Sequence, residues 1–137
     1  MKAVLILMLV SSPISLFAQG APTFSLERLP HASYLDFASE LDGCEEGKKL
    51  AEKDIEEKRP CLLLASGIAP IAYTTDKDFE NKFGVHYLEN GCTGPATACA
   101  TAYDARIFQY LTERFGRAWQ KKVRKDVLGL AEWKRTK

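Results

Sequence analysis

Histidine and methionine are scarce in this 137-residue chain, two of each, and no two of its four cysteines stand in a C-x-x-C pair. Zinc sites need three or four His, Cys or carboxylate ligands at close spacing. With only His31 and His86, far apart in sequence, no metal site and no cofactor are expected. The missing C-x-x-C also removes the usual redox-thiol motif. Ser66 follows an apolar run, as some hydrolase nucleophiles do, but the flanking G-x-S-x-G elbow is absent. No apolar run approaches the ~20 residues that a membrane-spanning helix needs. The acidic residues of 36–57 are interleaved with lysines, which suits solvated helix faces better than a glycosidase carboxylate pair. No catalytic residue is assigned on these grounds.

What is present begins with the leader. One Lys2, an apolar run Ala3 to Val10, and small and polar residues ending Phe17-Ala18-Gln19-Gly20 have the layout of a secretory signal peptide. Residues 1–20 are therefore expected to be removed, leaving 21–137 as a single globular domain, periplasmic or secreted, with no transmembrane segment. In an oxidising compartment, Cys44, Cys61, Cys92 and Cys99 are expected to form two disulfides. A continuous helix over 45–58 would be roughly 20 Å long and would hold Cys44 and Cys61 apart. Cys44 is then joined to Cys92 or Cys99.

Hydrophobic periodicity predicts an α+β (or small α/β) domain, mainly helical, disulfide-stapled, with two or three short strands. Helices are expected at 33–42 behind Ser33, at 45–58 before Pro60, at 75–83 before Gly84, and at 97–115 before Gly116. The continuous apolar run Cys61–Ala65 and the stretch Val85–Glu89 read as strands, either parallel through a right-handed crossover or antiparallel. A last helix is predicted to place Trp119, Val123 and Val127 on one buried side, with a tail Leu130–Lys137 that docks by Trp133 or frays.

Charge is unevenly placed. Residues 106–137 carry ten basic and three acidic side chains, while the full chain has a net charge of only +1. Arg114, Arg117, Lys121, Lys122, Arg124 and Lys125 crowd the region of the last predicted helix and are the candidate partner-binding residues. They suit an acidic protein partner or an anionic envelope component. Nucleic acid does not fit an exported address.

The pattern Phe79-x-x-x-Phe83-Gly84-Val85-x-Tyr87, Gly91-Cys92, Tyr103 and Phe108-x-Tyr110-Leu111, then Phe115-Gly116-x-x-Trp119-x-x-x-Val123-Arg124-x-Asp126-Val127-x-Gly129, resembles a group of small exported proteins of Gram-negative bacteria. That resemblance implies a periplasmic setting and no catalytic residue. The leading expectation is a small periplasmic, non-enzymatic binding or inhibitor protein of immunity type, acting through the basic C-terminal helix. Two alternatives are a small secreted envelope enzyme with an acid–base pair around His86, and a structural envelope protein held by charge.

Overall fold

Glu45 to Glu56, rich in Glu and Lys, forms helix α1, and its apolar positions Leu50 and Ala51 turn inward as the spacing requires. A computed structural model describes residues 30–37, 44–65, 67, 69, 71–89 and 97–136. The predicted leader, Ser66, Cys92 with the loop Gly91–Pro95, and residues 38–42 of the first predicted helix lie outside them. Where that first helix is expected to begin behind Ser33, His31–Phe37 is a 3-10 helix with Ser33 inside it.

Lys58 takes a left-handed conformation (φ 58°) just beyond α1, and Pro60 leads into strand β1, Cys61–Leu64, which is buried along its whole length. Helix α2, Asp76–Phe83, ends at Gly84, whose φ of 66° and N–H to the Glu80 carbonyl (2.8 Å) complete a left-handed cap. Strand β2, His86–Glu89, then pairs with β1 in parallel, Cys61 opposite His86 and Leu64 opposite Glu89. The parallel one of the two sequence alternatives is thus the one adopted. Helix α3, Thr97–Phe115, buries Cys99, Ala100, Tyr103, Asp104, Ile107, Phe108 and Leu111, a continuous i, i+3, i+4 stripe against the sheet and α1.

The predicted helix across Trp119–Val127 does not form. Ala118–Lys121 is a short 3-10 turn, the chain then runs irregularly, and Val127 bridges Leu64 in antiparallel sense. The cause is the open edge of β1. Its backbone groups facing away from β2 need partners, and the 126–128 segment supplies them: Ala65 N–H donates to the Asp126 carbonyl (2.7 Å) and Leu128 N–H to the Leu63 carbonyl (2.9 Å). Trp119, Val123 and Val127 are buried as expected, but a turn and a bridge bury them. Helix α4, Leu130–Arg135, docks through Leu130, with Trp133 against Phe108 at 5.6 Å between ring centroids.

The outcome is an α+β domain of the expected class, stapled by a Cys44–Cys99 disulfide that ties the start of α1 to the start of α3. The expectation of two disulfides is corrected, because Cys61 carries a free thiol, buried on β1 and donating to the Arg59 carbonyl at 3.5 Å. Burial pushes that thiol up to about 12, so it is protonated and unreactive in the folded chain. Among the described residues, no helix is long and apolar enough to cross a membrane.

Candidate functional site

Two buried carboxylates organise the interior before any surface chemistry begins. Asp54, on the inner face of α1, accepts the His31 N–H (2.6 Å), the Ala32 N–H (2.9 Å) and the Tyr103 hydroxyl (2.7 Å). It thereby satisfies the first turn of the 3-10 helix, whose N–H groups have no partner within that helix. The Arg59 Nε stands 3.5 Å from the same carboxylate. Asp104, on α3, accepts from the Leu63 N–H of β1 alone among the described residues (3.0 and 3.2 Å), and burial raises its carboxyl well above the usual range. Both acids complete hydrogen bonds of the fold.

The six basic residues picked out in the sequence do not act as one surface. Arg124 leaves it altogether. Its side chain is 8% exposed, it pairs bidentately with Asp126 (2.9 and 2.5 Å), and it reaches Asp76 (3.0 Å) and the Ile71 carbonyl (2.7 Å). The rings of Tyr73 and Tyr87 flank its guanidinium, with centroids 4.8 and 5.5 Å away. The hydrogen bonds that Arg124 donates to Asp126, then burial and the charge of both acids, act on Arg124, with the net effect of raising its pKa, and the same hydrogen bonds lower the pKa of Asp126. Arg124 is a latch that fastens residues 71–76 over one end of the sheet, which corrects its assignment as a partner-binding residue. Arg117 lines a cavity with Trp133 and Gln120, while Lys121 and Lys125 are exposed on the turn.

Arg114 and Lys122 are brought to a surface with two cations the sequence reading missed, Lys58 and Lys82. Lys58, Lys82 and Arg114 wall a cavity of about 620 Å³, with Phe83, Tyr110 and Phe115 among its lining. Lys82 and Lys122 border a second, of about 270 Å³, over Phe79. All four cations are exposed. Among the described residues none of them makes an ion pair, whereas Arg59, Arg106 and Arg124 are each matched to carboxylates. The signal for Lys58 and Lys82 was slight: Lys82 is in the last turn of α2 and Lys58 lies two residues beyond the end of α1, a common region for a cation.

His86 stands on β2 with its side chain 64% exposed and Nδ1 3.9 Å from Glu80 Oε2. Glu80 lies on α2 and His86 on β2, and His86 lines none of the four cavities described along the surface. His31 Nε2 meets Glu57 (2.9 Å) and Arg59 (3.0 Å). Among the described residues no three His, Cys, Asp or Glu side chains are placed to hold a metal ion. The chain matches no protein-family model, no curated protein and no solved structure.

Proposed function

We propose that this chain is a small exported binding protein of inhibitor type, and that it recognises an acidic partner protein through the groove bordered by Lys58, Lys82, Arg114 and Lys122. The observation that carries this reading is the set of four exposed cations from four separate segments around two cavities that share Lys82, each without a carboxylate partner among the described residues. Unpaired like charges held near one another repel, which the fold tolerates at some cost, and an anionic partner removes that repulsion on binding. The leader-like N-terminal stretch and the disulfide support an exported setting for such a protein.

Affinity capture from envelope extract with the wild type and with a Lys58→Gln, Lys82→Gln, Arg114→Gln variant tests the proposal. All three side chains are exposed, so the variant is expected to keep its circular dichroism and melting behaviour. The expected result is one acidic protein retained by the wild type, eluted by moderate salt and lost by the variant. Equal retention of the same proteins by both forms contradicts it.

A further inference from the structure

The two cavities share Lys82, and their linings differ in kind. In the larger, three cations, Lys58, Lys82 and Arg114, stand against one carboxylate, Glu56, around an aromatic floor. The Lys82 ammonium lies 5.7 Å from the Phe83 ring centroid and the Arg114 guanidinium 5.7 Å from that of Phe115. In the smaller, Asp78 opposes Lys82 and Lys122 above Phe79, so the site is closer to neutral and its deepest side chain is apolar.

A lone phosphate or sulfate is bound by donors converging on one point. Here the cations come from the end of α1, from α2, from α3 and from the turn after Lys121, and aromatic carbon separates them. Such an arrangement answers several spaced negative charges with an apolar body between them. A lipid surface, being flat, meets a concavity only at its rim. From this we infer that the groove receives a segment of an acidic protein whose carboxylates meet Lys58, Lys82 and Arg114 and whose apolar side chain enters the smaller cavity over Phe79. This rests on the acidic-partner reading above and adds the anchor to it. Central apolar anchors ringed by polar contacts carry most of the energy of protein interfaces, and burial of an aromatic side chain gives the anchor its affinity.

The test is a titration of the isotopically labelled protein, followed by amide chemical shifts, with the peptide acetyl-Asp-Glu-Phe-Glu-Asp-amide and with the same peptide carrying serine for phenylalanine. Phosphatidylglycerol vesicles form a third arm. The expected result is saturable shifts at Phe79, Lys82, Phe83 and Lys122 with the phenylalanine peptide. Affinity should fall about tenfold or more for the serine peptide and about tenfold for Lys82→Gln against the phenylalanine peptide. Equal affinity of the two peptides overturns the anchor while leaving the acidic-partner reading standing. Saturable binding to vesicles with none to either peptide overturns the inference in favour of a lipid surface, and no saturable binding in any arm overturns it outright. The capture experiment with the triple variant decides the underlying reading separately.

Discussion

Gly47 lies so close to Cys99 that a Cβ on it would sit 2.5 Å from the Cys99 carbonyl oxygen. This close approach of α1 to α3 lies three residues beyond Cys44, which is bonded to the same Cys99 with Cα atoms 4.6 Å apart. Glycine and disulfide therefore fasten one contact between two helices. Gly47→Ala is expected to force the helices apart and cost about 1–3 kcal/mol, against the stabilisation of several tenths that alanine gives in an unobstructed helix. Urea melts check this, and a variant at least as stable as the wild type removes the close packing.

The Cys44–Cys99 bridge closes a separation of 55 residues. Chain-entropy arguments give about 4 kcal/mol for a loop of that size. Cys44→Ser with Cys99→Ser is expected to lose stability of this order, while Cys61→Ala, which removes only a small buried thiol, loses about 1 kcal/mol. Non-reducing peptide maps should recover the Cys44–Cys99 pair, and iodoacetamide should leave Cys61 unmodified until the chain unfolds.

Asp104 gives the fold a pH dependence whose sign follows from its burial. Its carboxyl is raised well above the ordinary 3.8, so above that pH the unfolded chain gives up a proton that the folded chain retains. Stability is then fully present below 3.8 and declines as pH rises toward the folded value, by at most about 1.4 kcal/mol per pH unit. Asp104→Asn, which keeps an oxygen for the Leu63 N–H, is expected to flatten this decline and to be the more stable form at neutral pH. Denaturant melts over a pH series measure it; parallel curves for the two proteins contradict it.

Arg124→Gln is expected to release residues 71–76 without disturbing the helices. The guanidinium contacts to Asp76, Asp126 and the Ile71 carbonyl all go, leaving partly buried carboxylates unpaired at a cost of about 2–3 kcal/mol. Ile71 and Tyr73, already 56% and 52% exposed, lose what holds their backbone in place. Amide exchange at 71–76 should accelerate before that of α3. Uniform acceleration along the chain contradicts the latch.

The contrast between α3 and the segment after it explains how far the sequence could be read. Tyr103, Ile107 and Leu111 recur every four residues and are buried on one helix, as periodicity predicts. Trp119, Val123 and Val127 repeat the same spacing, yet a distant demand, the unpaired edge of β1, draws Asp126–Leu128 into a bridge. No local window contains that demand. Arg124 looked like one more solvated cation in a basic run, although an acid two residues on, Asp126, is its bidentate partner. The groove was least legible, since Lys58, Lys82 and Arg114 come to one cavity, and Lys82 and Lys122 to the other, only after α1, α2 and α3 have packed.

The most direct measurement is the association rate of the captured partner with the wild type and with the Lys58→Gln, Lys82→Gln, Arg114→Gln variant across a range of ionic strength. Electrostatic steering acts over a Debye length of roughly 8 Å at physiological salt. The wild-type rate is therefore expected to fall steeply as salt rises, while the variant associates about tenfold more slowly at low salt and responds weakly to it. Identical rates with identical salt response in the two proteins would contradict the cationic groove as the recognition surface.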